Sequence, residues 1–201
     1  VYMWDGDTIP LRAFPPPVDT DGRVPLLWGG RLDSPAYFQK TGLIPPGYIQ
    51  STEALLGSPA AANVSYVTQW QIWSRQHVRG MLEEFAERTG EARWTHAVLD
   101  AVPADQTQLG FSEYTVYAHY VLTRAPHTVR PLSSDEFPWL RDHPLGLLDT
   151  HGECCPSAES LCQVQLGGFG YVSWECSHAS ELRRPGLSVA DAARHRAHAR
   201  A

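Results

Sequence analysis

The first eight residues, V-Y-M-W-D-G-D-T, decide how the rest of the chain is interpreted. Val1 to Trp4 are apolar, as at the end of a buried strand, and Asp5-Gly6-Asp7 interrupts them. Because alternate side chains of an extended backbone share a face, Asp5 and Asp7 are expected to point the same way. Two such carboxylates repel each other unless a cation lies between them, and Mg²⁺ commonly binds one or two carboxylates together with substrate phosphates. The pattern therefore predicts a divalent cation site at the end of the first strand.

A turn explains the same residues equally simply. Asp-Gly is a frequent hairpin sequence. The chain also holds a second Asp-x-Asp triplet, Asp19-Thr20-Asp21, which follows three prolines and precedes Gly22, so turn chemistry accounts for it. Position favours a ligand site for the first triplet alone, because open α/β sheets bind their ligands beyond the ends of strands.

The composition excludes several classes of protein. The chain has 201 residues, with 16 Lys and Arg against 22 Asp and Glu, and a net charge of −6. An acidic balance lacks the basic footprint of a nucleic-acid-binding protein, and no apolar window is long enough for a membrane span. The length suits one domain. We expect it to cover residues 1–183, followed by an Ala/Arg/His-rich tail over 184–201 that is helical or disordered.

Periodicity predicts mixed strands and helices. The clearest helix covers residues 75–89, where Ser74 can cap the start, an apolar stripe recurs at helical spacing and Gly90 ends the pattern. Ile44-Pro45-Pro46-Gly47 predicts a break in the chain. Further helices are expected from 34, over 94–102 and from 112, and strands over 1–4, 8–11, 22–28, 66–73, 127–132 and 170–174. This mixture predicts an α/β domain.

Four segments occur in an order that points to a family. They are W-D-G-D-T-I-P-L-R (4–12), Y-V-T-Q-W-Q-I (66–72), F-S-E-Y-T-V-Y-A-H-Y (111–120) and S-W-E (173–175). Together they resemble an uncharacterised family of DxD-containing glycosyltransferases of the GT-A type. The resemblance implies a GT-A-like mixed sheet flanked by helices. It also implies that strands binding the donor base and ribose precede the acidic triplet and are missing from this chain, so that a fragment of this extent could be inactive.

The resemblance implies a metal-dependent transfer of a sugar from a nucleotide-diphosphate donor to an acceptor of unknown identity. Asp5 and Asp7 would hold Mn²⁺ or Mg²⁺, with His178 as a further ligand. Glu113 would contact or activate the acceptor. The remaining donor or acceptor contacts are expected at Arg12, Ser112, Tyr114 and Trp174.

The segment 111–120 has a second interpretation, based on local structure. Ser112 is a good N-cap, and the helix dipole favours an acidic residue in the first turn, so helix formation alone accounts for Ser112 and Glu113. Tyr114 and Tyr117 share a helical face and fit a core position. Two other functions remain open: a non-catalytic carbohydrate-binding remnant of the same fold, and a structural metal module built from Cys154, Cys162, Cys176 and His178.

The four cysteines all lie in the last third of the chain, without the paired spacing of a zinc ribbon. A disulfide, for instance between Cys155 and Cys162, is the expected special role, with buried free thiols as the alternative. A disulfide and the glycosylation sequon at Asn63 would both fit the secretory pathway, although the compartment itself is unknown.

Overall fold

A computed structural model describes residues 1–4, 8–10, 21–28, 44–61, 64–68, 70–105, 109–132, 146–149, 162 and 171–174. These residues form a mixed α/β structure, as the sequence predicts. In chain order the elements are β1 (Tyr2–Trp4), β2 (Thr8–Pro10), β3 (Val24–Leu27), α1 (Pro46–Leu56), β4 (Trp70–Ile72), α2 (Arg75–Thr89), α3 (Trp94–Ala101), α4 (Glu113–Arg124), β5 (Val129–Leu132), β6 (Gly146–Asp149) and β7 (Tyr171–Trp174). A short 3-10 helix, Pro126–Thr128, precedes β5.

The chain divides into two compact units. The first consists of Val1–Met3 and Pro17–Ser133; its described part contains α1 to α4, the strand pair β1–β4 and the parallel pair β3–β5. The second consists of Trp4–Pro16 and Ser134–Ala201. It contains a three-stranded sheet in the order β2–β7–β6, in which β7 runs antiparallel to β2 and parallel to β6.

Helix α2 confirms the clearest prediction from the sequence. It covers Arg75–Thr89, and the Ser74 side chain accepts a hydrogen bond from the backbone N–H of His77. Gly90 ends the helix at a φ of 70°, in the left-handed region that glycine enters without steric cost. Met81 and Phe85 are buried, so the predicted apolar stripe faces the core.

The predicted break at residues 44–47 is only partly right, because α1 begins inside it. Pro46 occupies the first turn, where its missing N–H costs nothing and its ring presets φ for a helix. Gly57 ends α1 at a φ of 64°, and its N–H donates to the Glu53 carbonyl over 2.8 Å. A proline pair therefore begins a helix here instead of only breaking the chain.

The core of the first unit lies among the four helices and the β3–β5 pair. Buried side chains from every one of these elements form one cluster, among them Leu26, Leu55, Leu56, Met81, Phe85, Ala97, Val116, Tyr117, Val121 and Val129. Such burial contributes about 1.5–3 kcal/mol for each large apolar side chain. None of the described helices has the length and apolar character needed to cross a membrane.

A buried glutamine joins β4 to β3. The Gln71 side chain is 1% exposed, and its Nε2 donates to the carbonyl oxygens of Leu27 over 2.6 Å and Tyr66 over 3.3 Å. The Leu27 N–H donates in return to Oε1 of Gln71 over 3.1 Å. The amide therefore bonds to the edge of β3 as a neighbouring strand would, and it fixes β4 beside the β3–β5 pair.

Candidate functional site

The acidic triplet falls between two observed strands. β1 ends at Trp4 and β2 begins at Thr8, so Asp5 and Asp7 belong to the three-residue link between them. The predicted strand ends where the sequence analysis places it. The structure of Asp5, Gly6 and Asp7 lies outside the described residues, so the predicted cation site stays a prediction.

The strand that leads into this link is held by β4. Val1 and Trp73 exchange both backbone hydrogen bonds, each over 2.8 Å, as two directly opposed residues of an antiparallel pair do. Met3, from the same strand, packs against the core cluster. Backbone pairing and core packing therefore fix the start of β1.

Trp73 connects β4 to helix α4. Its ring stacks on Tyr117, with centroids 4.7 Å apart and an angle of 17° between the planes, and meets Tyr114 edge-on at 5.9 Å. The Tyr117 hydroxyl accepts a hydrogen bond from the Ser74 N–H over 2.9 Å. Burial raises the pKa of Tyr117 although that hydrogen bond lowers it, so the phenol stays protonated near neutral pH.

Ser112 and Glu113 form the start of α4, as predicted. The Ser112 hydroxyl accepts a hydrogen bond from the Thr115 N–H over 3.2 Å, and its side chain is buried. Glu113 is the first residue of the helix and is exposed, and its side chain makes no hydrogen bond or ion pair with another described residue. A carboxylate free in this way can accept a hydrogen bond from a ligand hydroxyl.

Tyr114 follows Glu113 and points into the core, where it is 6% exposed. Its position on the same helical face as Tyr117 agrees with the interpretation as a core residue. Its part in ligand binding, which the resemblance implies, stays a prediction.

The other expected site residues are not brought together by the described part of the chain. Arg12 and His178 lie outside it, and for Trp174 only the backbone, at the end of β7, is described. Among the residues that are described, no group of three or more His, Cys, Asp or Glu side chains could hold a metal ion. This finding does not bear on Asp5, Asp7 and His178, which are outside that set.

The cysteines yield one observation. Cys162 is exposed and its thiol is free, so the structure does not contain the disulfide suggested between Cys155 and Cys162. Cys154, Cys155 and Cys176 lie outside the described residues. Of the second Asp-x-Asp triplet the structure describes Asp21, which lies in a turn as expected: it accepts hydrogen bonds from the backbone N–H of Arg23 over 3.1 Å and from its Nε over 2.6 Å, and Gly22 has a φ of 80°. Those bonds lower the pKa of Asp21.

The sequence analysis missed a polar pair in the first unit. The Ser58 hydroxyl lies 2.8 Å from Nε2 of His119, and His119 is buried on α4. Burial, with Arg124 nearby, lowers the pKa of His119 and so favours the neutral imidazole, whose tautomer determines whether Nε2 accepts the hydrogen bond from the serine hydroxyl or donates it. The two residues are 61 apart in the chain, and no local pattern signals their contact.

Comparison with protein-family models, with curated proteins and with solved structures found no match for this chain.

Proposed function

We propose that the chain is part of a metal-dependent glycosyltransferase of the GT-A type, which transfers a sugar from a nucleotide-diphosphate donor to an acceptor hydroxyl. The observation that carries the proposal is the position of the acidic pair, in a three-residue link that directly follows β1. Supporting it, the block that contains Glu113 begins a helix whose first carboxylate is exposed and unpaired among the described residues.

The residues proposed for the metal suit a hard divalent ion. Asp5 and Asp7 would supply carboxylate oxygens, and His178 would supply an imidazole nitrogen. Mn²⁺ accepts this set of ligands, and Mg²⁺ would bind mainly through the two carboxylates. A bound ion would supply charge neutralisation for the departing diphosphate. Arg12 would add a second positive charge against the same phosphates.

The remaining residues act on the acceptor side of the proposed reaction. The Glu113 carboxylate accepts a hydrogen bond from the acceptor hydroxyl, which orients its oxygen toward the anomeric carbon. As the bond from this oxygen to the anomeric carbon forms, the bond from that carbon to the diphosphate oxygen breaks. The nucleoside diphosphate leaves with the electron pair, and the hydroxyl proton passes to the Glu113 carboxylate. The family resemblance also assigns Ser112, Tyr114 and Trp174 to donor or acceptor binding.

The proposal is tested by assaying the full-length protein for release of nucleoside diphosphate from a panel of nucleotide sugars, with Mn²⁺ and mixed acceptor sugars. Glu113→Gln should lower the rate of transfer at least tenfold while donor binding is kept, because the variant loses the carboxylate and not the metal site. Glu87→Gln, an equal change at an exposed position of α2, is the matched control. No release with any donor would contradict the proposed function, and an equal rate in both variants would contradict the proposed role of Glu113.

A non-catalytic domain that binds saccharides is the alternative outcome. It requires saccharide binding that survives both a chelator and Asp5→Asn, with no release of diphosphate. Titration with saccharides, with and without the chelator, therefore separates the two functions.

A further inference from the structure

A cavity of about 880 Å³ opens in the first unit between the start of β1 and the first turns of α2 and α3. Pockets that take small molecules commonly enclose roughly 300–1,000 Å³ and have mainly apolar walls with a few polar groups. Met3, Trp73, Val78 and Leu82 contribute apolar side chains to this one. Trp94 also lines it and is 45% exposed. The volume and the walls therefore fit a small organic ligand with a flat or aliphatic body.

Three arginines line the same cavity: Arg75, Arg79 and Arg93. All three are exposed, and none of the three side chains makes a hydrogen bond or ion pair with any residue that the structure describes. Glu83 is the acidic residue among the described lining residues, so the cavity carries three cations against one anion. In a chain with a net charge of −6, this local excess of positive charge favours an anionic ligand.

The N-termini of α2 and α3 lie at the cavity and add to its positive electrostatic potential. A helix N-terminus carries about half a positive charge, and acidic residues usually occupy the first turn for that reason. The first turns of α2 and α3 have no acidic residue, and no side chain caps α3, whose N-cap is Arg93. Arg75 is the first residue of α2. These cations lie where the helix dipoles disfavour them, and a bound anion would relieve that repulsion.

We propose that this cavity binds a small amphipathic anion, with its apolar body against Trp73 and Leu82 and a phosphate or carboxylate head at Arg79 and Arg93. The residues that carry this site include none of those proposed for the metal or the donor, and they need no metal ion. Binding is therefore expected in the presence of a chelator and in an Asp7→Asn variant.

The test uses 8-anilinonaphthalene-1-sulfonate, a fluorescent probe with an apolar body and an anionic head, titrated into the full chain with EDTA present. The double change Arg79→Gln and Arg93→Gln should weaken its binding at least tenfold. Arg88→Gln, on the same helix but outside the cavity, is the matched control and should change the affinity less than twofold. Ala92→Trp, at an exposed lining position, should weaken binding by filling the cavity. Circular dichroism melting curves verify that each variant folds.

Competition identifies the chemistry of the ligand. Decyl phosphate and decanoate, below their micellar concentrations, should displace the probe, whereas decanol and decyltrimethylammonium should not. The anion that displaces the probe at the lower concentration identifies the head group. Displacement by decanol as strong as by the anions would overturn the proposal, and so would equal affinities in the double variant and the Arg88→Gln control. Because the assay contains no metal ion, these results are independent of whether nucleotide sugars bind.

Discussion

Replacing Gln71 tests how the strand beside the acidic link is held. Gln71→Met keeps the length and shape of a buried side chain but removes the amide that bonds Leu27 and Tyr66. The N–H and carbonyl of Leu27, at a residue with 0% exposure, then lose their partner from β4. A buried backbone group left unpaired costs about 1–3 kcal/mol, so two such groups predict a loss of about 2–6 kcal/mol. A domain of this kind has a free energy of unfolding of only about 5–15 kcal/mol.

Urea denaturation followed by tryptophan fluorescence measures this loss. Gln76→Met, at an exposed position of α2, is the matched control and should change the free energy of unfolding by no more than about 0.5 kcal/mol. If Gln71→Met does not fold, hydrogen exchange of the wild-type chain gives a second measurement, in which the Leu27 amide should be among the slowest to exchange. A loss no greater than that of Gln76→Met, or rapid exchange at Leu27, would refute the reasoning.

Two further predictions concern stability. Gly57→Ala should destabilise the chain more than Gly90→Ala in the same urea assay, because both glycines have a positive φ but only at Gly57 would an added Cβ meet the Arg88 side chain; equal losses would contradict the contact. Burial lowers the pKa of His119, so below about pH 6.5 the unfolded chain binds a proton that the folded chain does not, and stability falls as pH drops. Unfolding at pH 7.5 and 5.5 should show this loss, and His119→Gln should reduce it; an undiminished loss would contradict the assignment.

Local patterns were enough to predict the helices with strong periodicity. The cap at Ser74, the apolar stripe of α2 and the stop at Gly90 are all set by residues within a few positions of one another. The start of α4 at Ser112 is predictable for the same reason. The end of β1 at Trp4 was equally visible, since an apolar run meets an acidic turn sequence.

The features that the sequence analysis missed depend on long-range contacts or on opposing local signals. Helix α1 was missed because a proline pair indicates both a break and a helix start, and only tertiary packing decides between them. Strand β6, Gly146–Asp149, is not among the predicted strands, and it is defined by pairing with β7, a segment distant in the sequence. The Gln71 bonds to Leu27 join residues 44 apart, and no short pattern encodes that contact.

The most direct measurement for the proposed function is isothermal titration of the full-length protein with a panel of nucleotide sugars, with and without Mn²⁺. One donor should bind only with Mn²⁺; Asp7→Asn should abolish this binding, and Asp19→Asn, in the second triplet, should leave it unchanged. Binding that does not depend on Mn²⁺, or binding that Asp7→Asn and Asp19→Asn affect equally, would contradict the proposed function.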